Sequence, residues 1–239
     1  MAQSPSDALS LLRSQSLATV VQQEIERLIL SGEFAPNEKL SEERMAEHLS
    51  VSRGPVREAF RALSQAGLVR IEKNRGVSVR QISVQEADEI YEVRAGLDAM
   101  IGRLAAKRIT EEQLEQLAGL IETMEESASV RNVEAYYPLN VEFHDLLATF
   151  TNNRTLLETY RRIVKELHLF RRATLARAAD SFPISIREHS EIVEALRKRD
   201  GRKASRLLYE HAIESQERLH HLDETHDPLS KGKTIKEDV

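Results

Sequence analysis

The spacing of apolar residues changes period once in this chain, and the point of change limits what its first third can become. Over residues 17–30, LATVVQQEIERLIL, the residues Val21, Ile25, Leu28 and Ile29 recur at three- and four-residue steps, the stripe of an amphipathic helix. Gly32 and Pro36 in SGEFAPNEKL then break the pattern. Ser41 stands as an N-cap for a second helix, SEERMAEHLS, in which Glu42 and Glu43 suit the positive end of the dipole and Met45, Ala46 and Leu49 face inward. After the short connection VSRGP, Ser52 is placed to cap a third helix. Pro55 is tolerated in its first turn, and Val56, Phe60 and Leu63 form its buried side, with Gly67 as the stop. From Gly67 the period drops to two. GLVRIEKNRGVSVRQI alternates Leu68/Val69, Ile71, Val77 and Val79 around Asn74-Arg75-Gly76, which predicts a two-stranded hairpin. Three short helices followed by a hairpin make a winged helix-turn-helix.

Charge separates this segment from the rest. The whole chain carries −5. Residues 52–80 nevertheless hold seven basic and two acidic side chains, whereas residues 83–239 hold 23 basic and 29 acidic ones. Such asymmetry divides a basic module from an acidic one, and the basic one is where phosphate contacts belong. Arg53 and Arg57 fall at the start of the third helix, where exposed N–H groups also favour phosphate and where a recognition helix reaches base edges. The plain alternative is a solvated basic face.

Residues 17–80 also closely resemble the DNA-binding domain of the GntR family of bacterial transcription regulators. The resemblance is carried by ILSGEFAPNEKLSEERMAEHLSVSRGPVREAFRALSQAGLV and the closing NRGVSV. It implies DNA contacts by Arg44, Ser52, Arg53, Gly54, Pro55, Arg57, Arg75 and Gly76. Gly54 stands where relatives often have threonine or serine, which removes one hydroxyl contact. A single module covers one half-site, so a homodimer on a palindromic double-stranded operator is expected.

Beyond Ser83 the pattern is helical throughout, an all-α bundle of six helices. Ser83 with Glu86 and Thr110 with Gln113 read as capping boxes, and Asn132 as a further cap. Later helices are expected at about 154–179, 185–199 and 201–222, and Pro138 should kink its helix or move the start toward Leu139. The domain reading is a flexible 1–16, a winged helix-turn-helix over 17–82, a helical domain over 83–222 and a disordered tail over 223–239. The fold class is therefore mainly α, an N-terminal winged helix-turn-helix followed by an antiparallel six-helix bundle. No secretory leader and no stretch of about 20 apolar residues is present, which points to the cytoplasm and to no membrane partner.

Without cysteine, any metal would rest on histidine and oxygen. Of the eight histidines, His144, His189 and His211 fall on three different long helices, and Asn140 lies four residues before His144 on the same helix face. A bundle core brings such side chains to one point, and zinc, nickel or manganese accept imidazole nitrogen with oxygen. Composition alone leaves the alternative open that these are hydrogen-bonded packing histidines.

Residues 84–222 resemble the FCD ligand-binding domain of the FadR subfamily, through YEVRAGLDAM, NVEFHDLL, EHSEIVEAL and YEHAIES. The resemblance implies a metal site of Asn140, His144, His189 and His211, with zinc as the expected ion and nickel or manganese as the other options. It places Arg94 near the ligand cavity, where it would pair with an effector carboxylate; a helical salt bridge to Asp98 is the alternative. Many relatives carry aspartate at position 140. A neutral amide there leaves the full 2+ charge on the ion, which weakens metal binding and strengthens attraction for an anion. The implied function is a transcription regulator, a repressor, controlled by a small anionic carboxylate metabolite. A metal-dependent enzyme and a purely metal-responsive regulator are the competing readings, and the lack of an identifiable base beside the metal argues against the enzyme.

Overall fold

In the computed structural model, residues 16–174 and 181–224 are described. The predicted flexible segment 1–16, apart from Ser16, and the tail beyond Glu224 lie outside them. The chain divides into two compact units, one of residues 1–87 with 162–172 and the other of residues 88–161 with 173–239.

The first unit opens with α1 (Leu17–Ser31), capped by the Ser16 hydroxyl, which accepts from the Thr19 N–H, and closed by Gly32 in the left-handed region at φ 73°. α2 (Glu42–His48) is capped by Ser41, whose side chain accepts from the Arg44 N–H. α3 (Arg53–Gln65) begins after Ser52, but the Ser52 side chain makes no capping hydrogen bond, so that hydroxyl is exposed rather than spent on the helix end. The three helices pack α1 on α3 and α2 on α3. Val21, Ile25, Ile29, Met45, Val56, Phe60 and Leu63 form one core with Leu68, Val69, Val77 and Val79. Each such fully buried aliphatic contributes on the order of 1.5–3 kcal/mol relative to exposure.

The wing is larger than the expected hairpin. β2 (Val69–Glu72) pairs antiparallel with β3 (Gly76–Val79), in the register Val69↔Val79 and Glu72↔Gly76. β1 (Lys39–Leu40) adds to the other edge of β3, giving the order β1-β3-β2. The turn itself is Lys73-Asn74-Arg75, with Asn74 at φ 65° and Gly76, at φ 88°, opening β3. Ile71, two residues beyond the buried Val69, is 46% exposed because the strand has run past the core by then.

The second unit contains most of α4 (Val84–Arg108), with α5 (Glu111–Ser129), α6 (Val133–Phe150), the start of α7 (Arg154–Thr174), α8 (Phe182–Arg197) and α9 (Gly201–Glu224). Thr110 and Gln113 form the full expected capping box. Only half of the Ser83–Glu86 box forms: Ser83 accepts from the Glu86 N–H, while the Glu86 carboxylate is taken by Arg80. Asn132 caps α6 through Ala135, so Pro138 lies inside that helix and does not delay its start to Leu139; it withholds one N–H from the ladder. α8 starts three residues earlier than the sequence suggested, with Pro183 in its first turn. Residues 175–179 of the helix expected over 154–179 lie outside the described residues.

α5 packs against both α6 and α8, and α8 against α9. Gly102 of α4 meets α9 so closely that a Cβ there would lie 2.5 Å from the Ala204 carbonyl oxygen. This layering brings the inward faces of α6, α8 and α9 together, and those faces carry the three long-helix histidines.

Candidate metal centre and recognition helix

His144 on α6, His189 on α8 and His211 on α9 are 4%, 0% and 3% exposed, and one ring nitrogen from each lies within 4.8 Å of the others. The His211 and His144 Nε2 atoms are 3.1 Å apart. Two nitrogens bound to one tetrahedral zinc at about 2.0–2.1 Å are separated by roughly 3.3 Å. The His144–His211 pair is thus already at the spacing of two ligands on a common ion. Phe143 packs its ring 4.2 Å from that of His189 and closes one side with apolar surface.

The donor chemistry fits a cation as well. Neither ring nitrogen of the fully buried His189 has a hydrogen-bond partner. An imidazole in that condition is costly, because its lone pair has been removed from water with nothing in exchange. Burial first, and then His211, Arg94 and Arg218, hold His189 well below the ordinary imidazole range, so the ring is neutral and its lone pair is open to a metal.

Glu188 was not singled out in the sequence, yet it organises the centre. Its Oε2 accepts from His211 Nδ1 at 2.5 Å, and its two oxygens also accept from Arg218 at 2.8 and 3.0 Å. A carboxylate has only acceptors, so His211 Nδ1 carries the hydrogen that it donates, which leaves Nε2 as the nitrogen turned toward His144. A carboxylate behind a ligand histidine, fixing its tautomer, is the usual outer partner of a metal-bound imidazole. The signal in the sequence was adjacency in Glu188-His189, but consecutive helical residues do not share a face, so nothing there indicated that Glu188 would serve the histidine of a different helix.

Asn140 is also buried, at 8%, on the face of α6 that carries His144. Arg94 is 2% exposed on α4 and its Nε lies 3.1 Å from the Asp98 carboxylate. The helical salt bridge considered from the spacing is thus formed. Burial opposes the Arg94 charge, but Tyr160, Asp98 and Tyr91 outweigh it and raise the guanidinium above its ordinary value. Arg94 stays cationic.

In the first unit, Arg44, Ser52, Arg53, Gly54, Arg57, Arg75 and Gly76 are exposed and Pro55 is half-buried. Both arginines at the head of α3 are paired with acids from the first turn of α2. Arg57 donates Nε–H and NH2 to Glu42 at 3.1 and 2.8 Å, and Arg53 pairs with Glu43. Nothing lies within 4 Å of where a Gly54 side chain would begin.

A winged helix-turn-helix whose third helix opens on two arginines, joined to a helical unit that buries a three-histidine cluster, defines the class of DNA-binding transcription regulators. The chain belongs to the GntR family: residues 7–79 match the family described as "Bacterial regulatory proteins, gntR family", and residues 89–214 match the FCD domain. Among curated relatives, it is 29% identical over 212 residues to a protein of Bacillus subtilis (strain 168) named as the uncharacterized HTH-type transcriptional regulator YdhC, covering 88% of this chain and 91% of that one. It is 29% identical over 184 residues to the HTH-type transcriptional repressor RspR of Escherichia coli (strain K12), covering 77% and 80%. Among solved structures, that of E. coli McbR/YncC superposes with a TM-score of 0.74 at 21% identity, over 89% of this chain and all of that one, which shows the shared fold. The family and these relatives are transcription regulators, not enzymes. Among the described residues no helix is long and apolar enough to cross a membrane.

Proposed function

We propose that this protein is a transcriptional repressor whose affinity for operator DNA is set by a small carboxylate bound at a divalent metal in the helical domain. The observation that carries the reading is the buried convergence of His144, His189 and His211, with His189 left without hydrogen bonds, in a chain whose other module is a DNA reader. Repression is supported by the relatives named as repressors, RspR among them.

The metal, with zinc chemistry favoured over nickel or manganese, would be held by His144, His189 and His211, with the Asn140 amide oxygen as the fourth protein donor. When bound it supplies positive charge that attracts carboxylate oxygens. Asn140 contributes no charge to offset this. Arg94 adds a second buried cation on the effector side. The Asp98 carboxylate lies 3.1 Å from the Arg94 Nε, so an effector carboxylate would share the guanidinium with Asp98. The effector shifts DNA affinity only through its different affinity for two arrangements of the protein. The DNA side is assigned to Arg44, Ser52, Arg53, Gly54, Pro55, Arg57, Arg75 and Gly76, two copies in a homodimer reading a palindromic operator.

The test uses a duplex selected from a randomised pool by the purified protein. Zinc-loaded and chelator-treated protein are titrated onto it with and without a panel of di- and tricarboxylates, while the carboxylates are followed by mass. Release of DNA by one carboxylate, only when zinc is present and without conversion of the carboxylate, is the expected result. Release that tracks zinc alone would make the metal the signal, and turnover of the carboxylate would contradict the regulator reading.

A further inference from the structure

Arg57 and Arg53 stand at the head of α3 in similar positions but are held differently. Arg57 presents the Nε/NH2 edge of its guanidinium to both oxygens of Glu42, with contacts of 3.1, 3.2 and 2.8 Å, a two-point planar pairing. Arg53 meets Glu43 through a single terminal nitrogen. Both arginine side chains are more than half exposed, so neither ion pair contributes much to stability. Glu42 is also an awkward residue to keep there, since a carboxylate beside a polyanion opposes binding.

Its geometry supplies a reason. A guanidinium has five N–H donors in a rigid fork. With the Nε/NH2 edge fixed on Glu42, the remaining edge, formed by NH1 and the outer hydrogen of NH2, is the free one. Two parallel donors on such an edge match the O6 and N7 acceptors of guanine in the major groove. Glu42 is itself fixed, as the first residue of α2 behind the Ser41 cap. The hydrogen bond from Arg57 also holds its carboxyl below the usual carboxylate range, so it remains charged.

We propose that Glu42 is a specificity-determining positioning residue: it holds the Arg57 guanidinium by one edge so that the other reads a guanine. Arg53, held at one point, keeps the freedom suited to a phosphate. This rests on the reading of α3 as the DNA-recognition helix.

A bystander acid and a positioning acid predict opposite signs. Removing a bystander acid lowers repulsion and tightens binding to every DNA. Removing a positioning acid frees Arg57 to rotate, weakening binding to the specific site while nonspecific binding strengthens.

The experiment compares wild type, Glu42→Gln, Arg57→Ala and Arg53→Ala. The probes are the duplex selected by wild type from a randomised pool, the same duplex with each guanine in turn replaced by 7-deazaguanine, and a scrambled duplex, all at one salt concentration. Glu42→Gln should lose about tenfold or more on the selected duplex and lose nothing on the scrambled one. One 7-deazaguanine position should penalise wild type and leave Arg57→Ala unaffected, and Glu42→Gln should show a reduced penalty there. If Glu42→Gln binds the selected duplex as well as or better than wild type while Arg57→Ala is impaired, α3 still reads DNA and the role of Glu42 is overturned. A uniform loss for Arg57→Ala on selected and scrambled duplexes makes Arg57 a phosphate contact and overturns the proposal too. If neither Arg57→Ala nor Arg53→Ala weakens binding, the assignment of α3 itself fails.

Discussion

Replacing Glu188 by glutamine changes one atom's chemistry at the point where the histidine cluster meets Arg218. In the native arrangement Oε2 accepts from His211 Nδ1 at 2.5 Å while the carboxylate receives Arg218 at 2.8 and 3.0 Å, so all three donors are satisfied by an acceptor-only group. Glutamine has one acceptor oxygen and one amide donor. If the oxygen turns toward His211, the NH2 faces a guanidinium that offers only donors. If it turns toward Arg218 instead, the NH2 faces His211 Nδ1, which must then give up its hydrogen to Nε2 and so block the metal-facing lone pair. Either outcome also removes the negative charge that makes the imidazole a stronger donor. Loss of such an outer partner costs about 10–100-fold in metal affinity, or about 1.4–2.8 kcal/mol. Competition for zinc against a chromophoric chelator reads this directly, with His189→Ala as the variant that loses a ligand outright. Retention of wild-type zinc affinity by Glu188→Gln, alongside a clear loss in His189→Ala, would refute the reasoning about the outer carboxylate while leaving the ligand set intact.

Asn140→Asp should bind zinc more tightly in the absence of any carboxylate, because it lowers the net charge of the site by one; equal chelator resistance in the two proteins would remove position 140 from the ligand set. Gly102→Ala should lower thermal stability by at least about 1–3 kcal/mol despite alanine's better helix propensity, since its Cβ would lie 2.5 Å from the Ala204 carbonyl oxygen; an unchanged or raised melting temperature would contradict that close approach. Gly54→Thr has open space around the new Cβ and should leave the melting temperature within about 1 kcal/mol-equivalent of wild type while tightening DNA binding; weaker binding would show that the added hydroxyl and methyl do not fit the groove.

The elements that sequence periodicity made legible were those whose cause is local. α1 and α3 buried Val21, Ile25, Leu28 and Ile29, and Val56, Phe60 and Leu63, because a stripe at 3.6-residue spacing has only one side to hide. Thr110 and Asn132 cap their helices for equally local reasons. β1 was missed because two residues, Lys39 and Leu40, carry no period and exist as a strand only through the distant β3. The same limit applied at both candidate sites. His144, His189 and His211 could be placed on separate helices, where convergence and ordinary packing stood as open alternatives until the family resemblance favoured convergence. Glu188 with His211 and Glu42 with Arg57 join side chains 23 and 15 positions apart, beyond the reach of any spacing rule along a single helix. Arg94 shows the reverse: its pairing with Asp98, four residues on, was readable as an alternative and is formed.

If the three histidines of the helical domain hold a divalent metal, the ion should travel with the purified protein. Native mass spectrometry of the protein purified without added metal, set beside its His189→Ala variant, tests it most directly. Wild type should carry about one divalent ion per chain, lost in the variant while the two share the same far-UV circular dichroism. A metal-free wild type that takes up no zinc when it is supplied, or a variant with undiminished metal, would contradict it.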